Sequence, residues 1–278
     1  TDYLESIGFN VSYTSHNESI MTSTITANLL NLDYLVNNNM VESEKNNYRK
    51  NNYLFKYLNE KGYKITGVGN VEVYGLINGA LESSNSNFNV KSVEGKSITD
   101  IIFERTIIKP FYSISYNKSI KSIISSFQYL KNPNKFQENN FTFCHIVCPH
   151  EPFYFNKNGK TYKNPTSSWK ESKYYLEQYI FVTNQIIEIV DLIIENDPES
   201  CIIIQSDHSA RASSDSNLFM EIFALEDMSN IFNAVYFKGE KVGIDGLSGV
   251  NTLRLLLNEM FDEDFEMLDV PIDNYKYK

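Results

Sequence analysis

Several features that mark common protein classes are missing from this sequence. It has no dense cluster of lysine and arginine, and its 278 residues carry a formal net charge of −10. Binding of nucleic acid needs concentrated positive charge to neutralise phosphates, so nucleic acid is not an expected partner. No apolar run reaches the roughly 20 residues of a membrane-spanning helix. With 42% hydrophobic residues, the sequence predicts a globular domain with a large core.

Cysteine is scarce, and two familiar catalytic signatures are absent. None of the three cysteines, Cys144, Cys148 and Cys201, belongs to a C-x-x-C pair, and all lie in apolar stretches. We expect buried free thiols. The stretch 67–75 does not form the G-x-G-x-x-G loop of dinucleotide-binding proteins, and no G-x-S-x-G nucleophile elbow occurs.

Hydrophobic periodicity indicates alternating strands and helices, which is typical of a layered α/β fold. In segment 9–16, Phe9, Val11 and Tyr13 alternate with polar residues, and the apolar run 201–208 is typical of a strand buried on both faces of a parallel sheet. Without a repeat or linker, a single domain over 1–278 is expected. The predicted strands are 9–16, 63–69, the start of 141–153, 201–208, 218–226 and 232–238. The predicted helices are about 24–35, 44–61, 117–131, 168–196 and 249–260.

The strongest candidate site is the segment 205–211, Q-S-D-H-S-A-R, where a predicted buried strand ends in Asp207 and His208. Ligands of open α/β sheets collect at the carboxyl ends of strands. A carboxylate and an imidazole are good ligands for Mn²⁺ or Zn²⁺. An isolated Asp-His pair is more often a loop cap and a surface histidine, but the strand context favours a metal site.

A second candidate segment is 145–153, H-I-V-C-P-H-E-P-F, which also follows a strand. His145 lies inside the strand and is predicted to be a core histidine. His150 is flanked by Pro149 and Pro152, and a stiff loop can present an imidazole to a substrate oxygen or to a metal.

A third candidate is the Ser/Thr cluster 19–26, which places Thr22 near a strand-to-helix turn. A metal-bound hydroxyl can be deprotonated and attack phosphorus or sulfur. The same cluster also fits a polar helix start with capping hydroxyls, and the two interpretations have equal support.

The order of these motifs resembles the sulfatase-like hydrolase/transferase family of the alkaline phosphatase superfamily, over about residues 2–268. It is most similar to the membrane-anchored branch with lipoteichoic acid synthase relatives and proteins of surface-polysaccharide loci. The resemblance implies a three-layer α/β/α sandwich around a mostly parallel sheet. It also implies Thr22 as nucleophile, with Thr24 as the alternative. Its further residues are the metal ligands Asp207, His208 and Thr22, and the substrate contacts His150 and Arg211. His150 is also expected to be catalytic, by stabilising the phosphoryl oxygens or protonating the leaving group.

The sequence departs from the family pattern at three points. Family members carry an acidic metal ligand on a first strand well before the nucleophile. Only 21 residues precede Thr22 here, and none resembles that strand, so we expect the N-terminal strand to be missing. Ser209 stands where a small glycine is usual. No C-x-P-x-R or S-x-P-x-R signature occurs, which argues against a formylglycine sulfatase and for phosphoryl transfer.

The resemblance therefore implies a bacterial, metal-dependent phosphotransferase of the cell envelope. Its expected ion is Mn²⁺, with Zn²⁺, Mg²⁺ and Ca²⁺ as alternatives, and its expected substrate is a phosphorylated lipid or cell-surface glycan. We expect an extracytoplasmic site and a membrane anchor upstream of this sequence. Two alternatives stay open: a phosphatase, phosphodiesterase or sulfatase-type hydrolase, and a non-catalytic domain that binds glycan or lipid.

Overall fold

The computed structural model describes residues 1–69, 111–132, 139–210 and 228–271. These residues form two compact units. The first unit contains residues 1–63, 197–210 and 228–271; the second contains 64–69, 111–132 and 139–196. The expectation of a single domain over 1–278 stays a prediction. The predicted strand 218–226 lies outside the described residues.

The described elements mix helices and strands, as the periodicity predicts, but they do not alternate strictly along the chain. In chain order they are α1 (Asp2–Ser6), β1 (Asn10–Ser12), α2 (Thr22–Asn31), α3 (Glu42–Lys50), α4 (Tyr53–Glu60), β2 (Lys64–Gly69), α5 (Phe111–Leu130), β3 (Asn140–His145), β4 (Phe153–Phe155), β5 (Thr161–Thr166), α6 (Ser172–Asn196), β6 (Cys201–Gln205), β7 (Asn233–Phe237) and α7 (Gly249–Phe261).

The first unit contains a three-stranded sheet in the order β1-β7-β6. Both pairings are antiparallel, so the parallel environment expected for 201–208 is wrong for its described neighbour β7. An apolar run in the sequence indicates that a strand is buried. It does not indicate whether the neighbouring strands run parallel or antiparallel to it. The alternation expected over 9–16 also fails, because β1 ends at Ser12 and Tyr13 is 67% exposed.

A fully buried asparagine joins this sheet to its surroundings. Asn233, in the central strand β7, donates from Nδ2 to Ser15 Oγ at 3.0 Å and to Thr252 Oγ1 at 2.9 Å. Its Oδ1 accepts a hydrogen bond from Gln205 Nε2 at 2.9 Å. Since both ends of the amide are bonded, its burial carries little penalty. Through these bonds the Asn233 amide connects β7 to β6, to the segment that follows β1, and to α7.

The single helix predicted over 44–61 is wrong, because two helices, α3 and α4, occupy this segment. The break falls at Asn51 and Asn52, and Asn52 Oδ1 accepts the backbone N–H of Phe55 at 2.9 Å. Asparagine favours helix caps because its side chain competes for backbone hydrogen bonds. The capping signal therefore outweighs the continuous helical pattern.

The second unit contains the described parallel pair, β2 and β3, in register from Lys64 opposite Asn140 to Gly69 opposite His145. It also contains the antiparallel hairpin β4–β5. Because the other described pairings are antiparallel, a mostly parallel sheet is not confirmed, and the three-layer arrangement stays a prediction. The buried core of this unit consists of Ile123, Phe127, Tyr154, Phe155, Phe181, Val182 and Ile189.

Gly69 ends β2 at a point where the backbone of β3 comes very close. Its φ is +84°, and a Cβ built on it would lie 2.2 Å from the carbonyl oxygen of His145. A side chain cannot occupy that position without moving the neighbouring strand. The parallel pairing therefore depends on a glycine here.

All three cysteines are free thiols, as expected, although each is only partly buried by accessible surface. Burial raises the pKa of the Cys144 and Cys201 thiols to about 12. Burial also raises the pKa of Cys148. These groups are therefore protonated and unreactive in the folded protein.

Among the described helices, none combines the length and apolar character needed to cross a membrane.

Candidate active site

The structure brings Thr22 and Asp207 into direct contact. Thr22 is the first residue of α2, following Met21, whose backbone is extended. Asp207 lies in the loop after β6. Thr22 Oγ1 donates a hydrogen bond to Asp207 Oδ2 at 2.5 Å. The Ser/Thr cluster and the S-D-H segment, 185 residues apart in sequence, thus meet at one place.

His208 is oriented by its immediate neighbours. Its backbone N–H donates to Asp207 Oδ1 at 3.0 Å, and its Nδ1 lies 2.8 Å from the carbonyl oxygen of Ser209. A carbonyl only accepts hydrogen bonds, so this contact assigns the proton to Nδ1. The other ring nitrogen, Nε2, lies 3.5 Å from Asp207 Oδ2.

This spacing fits a shared cation. Two ligand atoms about 2.0–2.1 Å from a tetrahedral ion lie about 3.4 Å from each other, close to the 3.5 Å between His208 Nε2 and Asp207 Oδ2. Thr22 Oγ1 lies only 2.5 Å from Oδ2, so it would have to move away from Oδ2 to become a ligand of the same ion. Among the described residues, no group of three or more His, Cys, Asp or Glu side chains could hold a metal. A cation here would therefore need further ligands, such as water or substrate.

Thr24, the alternative nucleophile, occupies a different environment. Its side chain is only 1% exposed. Its Oγ1 donates to Asn38 Oδ1 at 2.9 Å and accepts from Lys45 Nζ at 3.0 Å. Both contacts are internal to the helix packing, so Thr24 has a structural role. Thr22, which is only partly buried and contacts Asp207, is the better candidate nucleophile.

His150 belongs to the second unit, in the loop between β3 and β4. Its side chain is 45% exposed, and Nδ1 lies 2.5 Å from the carbonyl oxygen of Glu151. The peptide bonds before Pro149 and Pro152 are both cis. His145 lies within β3 opposite Gly69 and is only partly buried, so its assignment as a core histidine stays a prediction. Arg211, the other predicted substrate contact, lies outside the described residues.

Gln178, which motif reasoning missed, holds the loop of His150. It lies on α6 and is fully buried. Its Nε2 donates to the carbonyl oxygens of Pro149 and His150, and its Oε1 accepts the backbone N–H groups of Tyr154 and Phe155. One amide thus bonds four backbone groups on both sides of the turn. The only sequence signal was a single amide on the buried face of an apolar helix.

Replacing Gln178 with leucine should destabilise the second unit by at least about 3 kcal/mol, because buried backbone groups left without partners cost about 1–3 kcal/mol each. Urea unfolding followed by the fluorescence of Trp169, which is buried in this unit, measures the loss. Gln185→Leu on the same helix is the matched control, since Gln185 is partly exposed. Equal unfolding midpoints for the two variants would contradict the role of Gln178.

Comparison with known proteins supports the architecture. No protein-family model matches the sequence, and no curated protein matches it. The fold is similar to the crystal structure of the lipoteichoic acid synthase LtaP from Listeria monocytogenes, with a TM-score of 0.59 and 12% identity. The match covers 92% of this chain and 64% of that one, so this chain spans less than two thirds of that chain's length. At this identity the likeness establishes the fold: this chain has an α/β fold similar to that of a lipoteichoic acid synthase.

Proposed function

We propose that this chain is the catalytic region of a sulfatase-like phosphotransferase of the alkaline phosphatase superfamily. The observation that carries the proposal is the contact between Thr22 and Asp207, with His208 Nε2 directed at the same carboxylate. The fold likeness and the motif order support it independently. The proposed nucleophile is Thr22.

The proposed reaction has two steps. Thr22 Oγ1 attacks phosphorus as its proton passes to Asp207 Oδ2, its hydrogen-bond acceptor. A P–O bond to Thr22 forms, the P–O bond to the leaving alcohol breaks, and the proton held by Asp207 passes to the leaving oxygen. In the second step an alcohol attacks phosphorus, the P–O bond to Thr22 breaks, and the proton of the attacking alcohol returns through Asp207 to Thr22 Oγ1; water as acceptor would give a hydrolase. The first turn of α2 adds the positive end of a helix dipole beside the developing charge.

A divalent cation held by Asp207, His208 and Thr22, with Mn²⁺ proposed first, would supply Lewis-acid stabilisation of the negative charge. His208 would offer Nε2 to the ion, because the carbonyl oxygen of Ser209 accepts the hydrogen bond from Nδ1. Asp207 Oδ1 is occupied by the His208 N–H, so Oδ2 is the oxygen that faces the reacting atoms. His150 and Arg211 are proposed substrate contacts on the resemblance alone.

The proposed substrate is a phosphorylated lipid or cell-surface glycan, on the extracytoplasmic face of a membrane, with an anchor upstream. The name of the structural neighbour, a lipoteichoic acid synthase, supports this class. The competing proposal is a non-catalytic domain that binds glycan or lipid. It is favoured by the small donor set, because the described site offers one carboxylate and one imidazole.

Calorimetric titration of Mn²⁺ separates these proposals. The wild-type chain is expected to bind one ion, and Asp207→Ala to weaken binding by more than about 100-fold, since even loss of an outer hydrogen-bonding partner costs 10–100-fold. Asp197→Ala, which removes an exposed carboxylate of the same unit, should bind as the wild type does. Failure of the wild type to bind, or unchanged binding by Asp207→Ala, would overturn the metal-dependent enzyme.

A further inference from the structure

A buried asparagine connects the loop of Asp207 to the start of helix α7. The side chain of Asn17 donates from Nδ2 to the backbone carbonyl oxygen of Asp207 at 2.9 Å. Its Oδ1 accepts the backbone N–H of Gly249 at 2.9 Å. Its own backbone N–H donates to the carbonyl oxygen of Ser229, also at 2.9 Å. Asn17 is 5% exposed; its bond to Gly249 is buried, and its bond to Asp207 is partly buried.

The contact with α7 depends on a glycine at position 249. A Cβ built on Gly249 would lie 3.2 Å from Asn17 Oδ1 and 3.3 Å from a methyl carbon of Leu29. Any larger residue would therefore press on the amide of Asn17. The N–H of Gly249 is also one of the first-turn donors that a helix leaves unbonded, and Asn17 supplies its acceptor.

We propose that Asn17 is a positioning residue for Asp207. The carbonyl that it holds belongs to the same residue whose Oδ2 contacts Thr22 at 2.5 Å and lies 3.5 Å from His208 Nε2. Asn17 holds the backbone carbonyl of Asp207. Because the aspartate side chain is short, fixing the backbone restricts where the carboxylate can lie. Reactive groups must stay within about 0.5 Å of their working geometry, so this restriction matters for ion binding and for proton transfer.

Only one consequence of this role, the expected change in affinity for Mn²⁺, rests on the proposed function. The restriction of the Asp207–His208 loop itself is a property of the polypeptide. The backbone N–H of His208, which donates to Asp207 Oδ1, reports on that loop in the absence of any ligand. Hydrogen exchange of this amide therefore tests the positioning role separately from ion binding.

The chain offers a closely matched control in Asn251. It is also 5% exposed, and its amide also bonds two backbone groups, donating to the carbonyl oxygen of Leu268 at 2.8 Å and accepting the N–H of Leu268 at 2.9 Å. These bonds join α7 to the segment that follows it. Asn17→Ala and Asn251→Ala thus remove the same bonds at the same burial, and only the first touches the loop of Asp207.

In Asn17→Ala we expect the His208 amide to exchange at least about 10-fold faster and the Kd for Mn²⁺ to rise about 10- to 100-fold. Asn251→Ala should leave both values near those of the wild type, with a similar fall in Tm. If Asn17→Ala does not fold, Gly249→Ala keeps Asn17 and displaces its amide; the same faster exchange is expected there.

The outcomes separate the two proposals. Unchanged His208 exchange in the folded Asn17 or Gly249 variant, or equal acceleration in Asn251→Ala, would overturn the positioning role whatever the ion does. If the wild type binds no Mn²⁺ and the His208 amide still exchanges faster in Asn17→Ala, the positioning role is supported and the metal-dependent function is overturned. Faster exchange together with weaker Mn²⁺ binding is the expected result.

Discussion

Replacing Thr22 with alanine should lower kcat for a phosphodiester such as bis(4-nitrophenyl) phosphate by at least about 1,000-fold, as expected for loss of a nucleophile. Thr22→Ser keeps a hydroxyl beside Asp207 Oδ2 and should retain part of the activity. The measurement is a steady-state assay with Mn²⁺, and removal of the ion with a chelator should abolish the wild-type rate.

Thr24→Ala is the control that separates nucleophile from scaffold. Thr24 contacts Asn38 and Lys45 inside the fold, so its loss should lower Tm and leave the rate per folded molecule nearly unchanged. A Thr22→Ala variant that stays active while Thr24→Ala is inactive would move the nucleophile to Thr24. Mass spectrometry of acid-quenched enzyme adds a direct result, because the proposed intermediate leaves phosphorus on the peptide that contains Thr22.

Replacing Gly69 with alanine should destabilise the second unit by more than about 2 kcal/mol, from the left-handed backbone cost of about 1–2 kcal/mol plus a backbone clash. The clash is with the carbonyl group of His145, whose oxygen would lie 2.2 Å from the new Cβ and whose carbon would lie 3.0 Å from it. Thermal unfolding followed by circular dichroism measures the effect.

Gly62→Ala isolates the backbone contribution. Gly62 has a φ of +87°, close to the +84° of Gly69, but nothing lies within 4 Å of its added Cβ. Its substitution should therefore cost only the left-handed strain. If Gly62→Ala and Gly69→Ala lower Tm equally, the contact between the new Cβ and the backbone of His145 adds nothing to the loss in free energy of unfolding. The prediction for Gly69 would then be wrong.

The strand-end pattern predicted the candidate site better than it predicted the sheet. Asp207 and His208 follow the strand β6, and Thr22 begins a helix, because hydrophobic runs and polar stops are encoded locally. The contact between Thr22 and Asp207 was not predictable from the strand-end rule, because that rule concerns parallel sheets and Thr22 does not directly follow a strand. The antiparallel pairing of β6 with β7 was not predictable, since direction depends on how the chain returns and leaves no periodic signal.

The residues that hold the loop of Asp207 and, separately, the loop of His150 were not predictable from sequence. Asn17 and Gln178 act by bonding backbone groups that are remote in the chain, and any asparagine or glutamine has the same capacity. Only the folded chain shows which amides are buried and fully bonded. By contrast, the proposal of Thr22 rather than Thr24 as nucleophile rests on one geometric fact, the contact with Asp207.

Each unit contains at least one free thiol whose reactivity can report on local opening of that unit. Cys201 begins β6 in the first unit, whereas Cys144 and Cys148 flank the end of β3 in the second. With its pKa raised to about 12, the Cys144 thiol should react more slowly in the fold than an ordinary thiol, because the thiolate is the reactive form. Local opening restores ordinary reactivity, so the alkylation of each cysteine follows the population in which its strand is open, and the two units can be compared in one sample.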